Sequence, residues 1–281
     1  MVYSPNNGRQ IPELSKDVMK TIVITGSTRG IGFALAREFL KKGCNVVISG
    51  RSDASVGNAI AKLEAEYPKD QIAGFACDVT QYDNIKALWI FSKTKFGDVD
   101  IWINNAGISN KQANCWEVPV EEIRAVVETN ILGELFGTKV ALQGLLEQGF
   151  GAVYNVEGLG ANGKTNNVKG LSIYGMSKAG LHYFNQCLFK EIDHPKIIAG
   201  ALQPGMVLTD LVTGQYDKKP EEWEKVKGIL GIISSPIDEV AVWMTKKILA
   251  NHKNGAYFHY GGTLRILKRM ILSPFRNKQG N

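Results

Sequence analysis

Thr21-Ile22-Val23-Ile24-Thr25-Gly26-Ser27-Thr28-Arg29-Gly30-Ile31-Gly32 is the stretch that decides the fold. Its first five residues are uncharged and β-branched, and predict a strand buried on both faces. Gly26 permits the tight turn that follows, Gly30 lets the backbone approach a phosphate, and Gly32 clears the packing of a helix on the strand. The helix expected over 31–42 then presents free N–H groups and the positive end of its dipole to a pyrophosphate. A glycine motif alone is weak, but the strand–turn–helix context is the one dinucleotide binding requires. Gly26, Ser27, Thr28, Arg29, Gly30, Ile31 and Gly32 are therefore expected to bind a cofactor.

Outward from this turn, short apolar runs alternate with helix-length amphipathic segments. Strands are predicted near 45–49, 71–77, 101–104, 152–156, 197–202 and 256–260, with helices near 55–67, 82–96, 120–146, 174–191 and 237–249. Continuous apolar strands joined by helices imply a parallel sheet covered on both faces, and right-handed crossovers make it doubly wound. The expectation is an α/β chain with one Rossmann-type domain over 21–262 and a parallel seven-stranded sheet. An N-terminal extension (1–20) precedes it, and a basic amphipathic tail (263–281) follows.

Composition agrees with a globular domain: of 281 residues, 44% are apolar and 21% charged, which excludes a disordered chain. No apolar run reaches the ~18 residues of a spanning helix. Residues 1–20 lack an apolar signal core. The formal charge of +6 suits an anionic cofactor or an acidic membrane face and does not by itself indicate nucleic acid. Cys44, Cys77, Cys115 and Cys187 are widely spaced and do not cluster with histidine, so no metal site and reduced thiols are expected.

The second strand runs into Ser49-Gly50-Arg51-Ser52. A carboxylate usually binds a free ribose 2′-hydroxyl here, and none stands at Gly50, although Asp53 follows. Arg29 and Arg51 offer planar donor forks to a 2′-phosphate, so NADPH is expected over NADH, with Ser52 beside it. Farther on, Tyr174 and Lys178 stand four apart on a predicted helix and share a face. A nearby ammonium is expected to lower the phenol pKa, fitting Tyr174 to give a proton to a carbonyl oxygen as hydride reaches the carbon.

With the glycine turn, Asn104-Asn105-Ala106-Gly107, Tyr174-Gly175-Met176-Ser177-Lys178 and Pro204-Gly205 in this order, the chain resembles the short-chain dehydrogenase/reductase family over about 21–260. The resemblance implies that Asn130 holds a water linked to Lys178 and that Asp78, followed by Val79, contacts adenine. It also implies that Asn105, Ala106 and Gly107 line the cofactor and that Thr209, in the segment with Pro204, Gly205 and Val207, meets the nicotinamide amide. One departure stands out. Most members carry a serine after the fifth strand, whereas this chain reads Asn155-Val156-Glu157-Gly158-Leu159-Gly160. Glu157 or Gly158 takes its place. Glu157, kept protonated by burial, would donate to the substrate oxygen; Ser172 or a backbone N–H of the glycine loop is the other source.

That stretch, together with 99–107 and 204–211, is similar to the chlorophyll(ide) b reductase branch of the family. This similarity implies NADPH-dependent reduction of the 7-formyl group of chlorophyll(ide) b to hydroxymethyl, with Tyr174 as proton donor. A reductase or dehydrogenase of another aldehyde, ketone or alcohol is the alternative within enzymes, and a non-catalytic NADP(H)-binding sensor or scaffold the alternative outside them. The expected partner is a small molecule under a lid containing Leu211, Val212, Trp223, Ile229, Leu230, Ile232 and Ile233, side chains that equally suit packing on the sheet or a second subunit. No nucleic-acid partner is expected. The basic, amphipathic 264–272 suits either an anionic membrane surface or docking on the protein itself. Family habit implies a homodimer or homotetramer through the helices of 120–146 and 174–191. The expected location is cytoplasmic, at or near a membrane, or the chloroplast for a plant or algal source.

Overall fold

The computed structural model describes residues 19–158, 161, 168–217 and 219–261. The N-terminal extension, most of the glycine loop after Gly158 and the basic segment 264–272 lie outside them. Seven parallel strands form one sheet: β1 (Thr21–Ile24), β2 (Asn45–Gly50), β3 (Ile72–Ala76), β4 (Ile101–Asn104), β5 (Gly151–Val156), β6 (Ile197–Gln203) and β7 (Ala256–His259). Their order is β3-β2-β1-β4-β5-β6-β7. The chain winds outward from β1 in one direction, then returns to start β4 on the other side. This reversal opens a crevice at the C-terminal ends of β1 and β4, where a doubly wound sheet binds its ligand.

The strands form because their residues are buried on both sides. Ile22, Ile24, Val46, Ile48, Ile103 and Tyr154 face one core, and Val23, Val47, Trp102 and Val153 face the other. The first core is closed by α1 (Gly30–Lys41), α2 (Asp53–Glu64) and, later in the chain, the helix Ile237–Leu249. The second is closed by α3 (Tyr82–Phe96) and by two helices that carry the site.

The single helix expected over 120–146 is three pieces. α4 (Val120–Val126) runs into a π turn, Val127–Leu132, which feeds α5 (Gly133–Gln148). The wider turn re-aims the residues that follow it, and Asn130 sits within it. α6 (Ser172–Glu191) carries the Tyr174–Lys178 pair. After β6 come the short α7 (Asp210–Thr213), α8 (Pro220–Ile233) and α9 (Ile237–Leu249). α8 buries none of its residues in this chain; its Trp223 ring lies 5.5 Å from that of Tyr216.

Candidate active site

The glycine turn is locked to the strand across the crevice. The Thr25 hydroxyl accepts from the backbone N–H groups of Asn105 at 2.9 Å and Ala106 at 3.1 Å. The Asn105 amide donates to the carbonyls of Thr25 and Gly26, each at 2.9 Å. Asn105 thus fastens the turn rather than simply lining a ligand. Ser27 is buried within it, its hydroxyl donating to Ile24 O at 2.6 Å and accepting from Ser49 N at 2.9 Å. A Cβ at Gly26 would meet Ala106 Cα at 2.7 Å, and one at Gly32 would overlap the Asn105 amide, so both positions exclude a side chain. α1 opens at Gly30 with no side-chain cap and no acid in its first turn, leaving its N–H groups open to an anion.

The remaining cofactor candidates surround this helix end. Thr209 Cγ2 lies 3.8 Å from where a Gly30 Cβ would stand, so the segment after β6 faces the glycine turn across the crevice. Pro204, Gly205 and Val207 carry the chain there; Val207 is buried and bridges to Ser235. A side chain at Gly50 would meet Thr28 Cγ2 at 2.6 Å, so the place of a ribose-binding carboxylate is filled. Arg51 is exposed there, and Ser52 caps α2, accepting from Ser55 N at 3.3 Å. Arg29 is exposed and pairs with Asp210 at 3.2 Å, spanning the two walls of the crevice. Asp78 spends one oxygen on Thr80, accepting from its N–H at 3.0 Å and its hydroxyl at 2.9 Å, with buried Val79 between them. An uncapped helix end, glycines at Gly26 and Gly32 that exclude a side chain, and the exposed guanidiniums of Arg29 and Arg51 fit a dinucleotide.

The candidate proton-transfer residues converge at the C-terminal tip of β5. Tyr174 and Lys178 are 8% and 5% exposed. The Lys178 ammonium donates to Val156 O at 2.9 Å. Asn130 is fully buried: its Oδ1 accepts from Ile108 N at 2.8 Å, and its amide donates to Ile108 O at 2.8 Å and Ser177 Oγ at 2.9 Å. Gly107 stands between them, since a Cβ there would lie 3.4 Å from Asn130 Oδ1 and 3.8 Å from Lys178 Nζ. Burial pushes the Tyr174 phenol up to about 12, against the expectation that Lys178 lowers it. Burial likewise pushes the Lys178 ammonium down. In this state Tyr174 is fully protonated near neutral pH, the form that gives a proton.

Glu157 is placed otherwise than expected. It follows Val153 and Asn155 onto the sheet face covered by α6. There it accepts from Asn185 Nδ2 at 3.0 Å and Tyr257 OH at 2.7 Å, and both its oxygens lie 3.1 Å from His182 Nδ1. The carboxylate belongs to a buried chain of polar groups. It continues through Asn185 and Asn155 to Asn104, which accepts from Trp102 Nε1 at 2.7 Å. The residue against the phenol is Gly158, where a Cβ would overlap the Tyr174 hydroxyl. The expectation of Glu157 beside the reacting oxygen is therefore corrected: the strand's two-residue alternation turns it away. Ser172 is exposed at the first position of α6.

Sequence reasoning missed the clasp that forms the rim. Asn110 accepts from Tyr174 N at 3.2 Å and donates to Gly170 O at 3.1 Å. Gln215 donates to Asn110 O at 3.0 Å and accepts from Gln112 N at 2.8 Å, while Gln112 donates to Lys169 O at 2.8 Å. Three loops are tied together around the mouth, and Trp116, Val168 and Leu211 on those segments are exposed. Only the asparagine- and glutamine-rich run Asn110–Asn114 hinted at this.

Comparisons with known proteins agree with this geometry. The short chain dehydrogenase family model matches residues 20–220. A rice protein named probable chlorophyll(ide) b reductase NYC1, chloroplastic, is 37% identical over 209 residues, which cover 69% of this chain but 41% of that protein. The rice chlorophyll(ide) b reductase NOL, chloroplastic, is 33% identical over 271 residues, covering 92% of this chain and 77% of that one. A crystal structure of an actinorhodin polyketide ketoreductase variant with NADPH superposes with a TM-score of 0.77 at 27% identity, covering 88% of this chain and 97% of that one. From the matched model, the parallel sheet and the glycine turn, the chain belongs to the short chain dehydrogenase family.

Proposed function

We propose that this protein is an NADPH-dependent reductase of a bulky aldehyde, the 7-formyl group of chlorophyll(ide) b. The observation that carries this reading is Gly158 packed against the Tyr174 hydroxyl where most of the family has serine, in a chain similar to two chlorophyll(ide) b reductases. Gly26–Gly32, Arg51, Asp78 and Thr209 hold the cofactor in this reading, with Arg29 and Arg51 toward the 2′-phosphate. When bound, NADPH supplies a hydride. Tyr174 gives its proton to the carbonyl oxygen as that oxygen gains charge, and Lys178 stabilises the phenolate left behind. Asn130 holds the Ile108 backbone and Ser177 in place beside Lys178. Exposed Trp116, Leu208 and Leu211 at the mouth suit a flat apolar substrate.

The test is anaerobic incubation of the purified protein with NADPH and chlorophyllide b, followed by chromatography of the pigment. A 7-hydroxymethyl product is expected, and Tyr174→Phe should slow its formation by roughly 10²-fold or more with NADPH affinity unchanged. NADPH binding without any pigment product, but with turnover of small ketones, would replace the substrate. Binding with no turnover on any carbonyl would favour a sensor.

A further inference from the structure

The reaction just described uses one proton per turnover and leaves Tyr174 as a buried phenolate. Glu134 lies four residues beyond Asn130, where the π turn passes into α5, and is 3% exposed. Its Oε2 stands 4.0 Å from Lys178 Nζ. Its Oε1 is buried with no hydrogen-bond partner among the described residues. A carboxylate without donors at such depth is costly, whereas a neutral carboxyl is tolerated.

The charges around it decide which form it takes. Lys178 faces it from α6 and Glu157 from the end of β5. Among the described residues, β4 and α3, which also pack on α5, bring no charge that acts on it. The Glu157 carboxyl is surrounded by Asn185, Tyr257 and His182. Lys178 is thus one buried ammonium facing two buried carboxyls, which it cannot compensate together. Burial accordingly drives the Glu134 carboxyl up, Lys178 opposes this and Glu157 adds to it, to about 8.

We propose that Glu134 is a positioning residue that stores the proton with which Lys178 restores Tyr174 after each turnover. The inference rests on the reductase reading. In reduction the Tyr174 O–H bond breaks as the carbonyl oxygen gains its proton, and the electron pair arrives with the hydride. An N–H of Lys178 then passes its proton to the phenolate, and the amine takes the proton of the Glu134 carboxyl. The result is a carboxylate beside a restored ammonium. A solvent proton reloads Glu134 after product leaves.

The test uses the full chain as wild type, Glu134→Gln and Glu134→Asp. Infrared titration of the wild type should show a protonated-carboxyl carbonyl band that disappears as pH rises through about 8 and is missing from Glu134→Gln. With NADPH and chlorophyllide b, Glu134→Gln should keep the first-turnover hydride rate and kcat/KM, so that KM falls together with kcat. Its steady-state kcat should fall roughly 100-fold and lose the wild-type decline above that pH, while Glu134→Asp recovers part of both. A wild type without the band, or a Glu134→Gln enzyme with unchanged kcat and pH profile, overturns the relay. A wild type that shows the band but oxidises no NADPH with any carbonyl overturns the reductase reading, and the relay with it.

Discussion

At the scale of single residues, the site turns on which side chain stands against the Tyr174 hydroxyl. Gly158 does, and a methyl group added there would overlap the phenol oxygen. Gly158→Ala should therefore displace Tyr174 and lower kcat by roughly 10-fold or more, with the fold intact by circular dichroism. An unchanged rate would mean that the working position of the phenol is elsewhere. Arg51 makes a second residue-scale prediction. It is exposed where a carboxylate is excluded at Gly50, so Arg51→Asp should erode preference for NADPH over NADH. A charge-assisted contact contributes about 1.5–3 kcal/mol, or roughly 10- to 100-fold in relative affinity. Equal discrimination by variant and parent would count against Arg51 as a 2′-phosphate ligand. Glu157 was legible as unusual, but not its direction. Carrying the strand alternation past Val156 would have revealed it, since Val153 and Asn155 already face α6.

At the scale of elements, the strands and the glycine turn were readable because uninterrupted apolar runs have no other use in a chain of this composition. The break between α4 and α5 was not. One extra residue in a turn leaves the amphipathic pattern of 120–146 almost unchanged, yet it sets the direction of Asn130 and Glu134. The rim clasp was equally hidden, because Asn110, Gln112 and Gln215 are joined across 103 residues of sequence by side-chain amides that carry no periodic signal. Gln215 holds the segment after β6 to the loop after β4 by two hydrogen bonds. Gln215→Ala removes both, at about 1 kcal/mol each. The expected result is a KM for the carbonyl substrate raised roughly 10-fold with cofactor affinity unchanged, measured by steady-state kinetics and fluorescence titration. A fall in kcat at constant KM would instead place the clasp in the chemical step.

At the scale of the whole molecule, the second core layer is unusually polar, and its charge sets the pH response of the fold. Glu134, Glu157 and Lys178 are all buried within it. Glu134 has an ordinary value near 4.5 when unfolded and about 8 when folded. Between those values the folded chain binds a proton that the unfolded chain has released. By linkage, this group's contribution to stability is full below about pH 4.5 and is lost as pH rises through about 8. The Lys178 ammonium is held below its ordinary value by burial, and its effect has the opposite sign: stability rises with pH through its folded value. The two are separated by substitution. Glu134→Gln keeps the neutral shape of the folded side chain and removes the titration. Chemical denaturation from pH 5 to pH 8.5 should therefore show wild-type stability falling more steeply than that of Glu134→Gln, so that the two curves approach or cross at the alkaline end. Parallel curves would mean that Glu134 is ionised in the folded protein across this range, with Lys178 as its counter-ion.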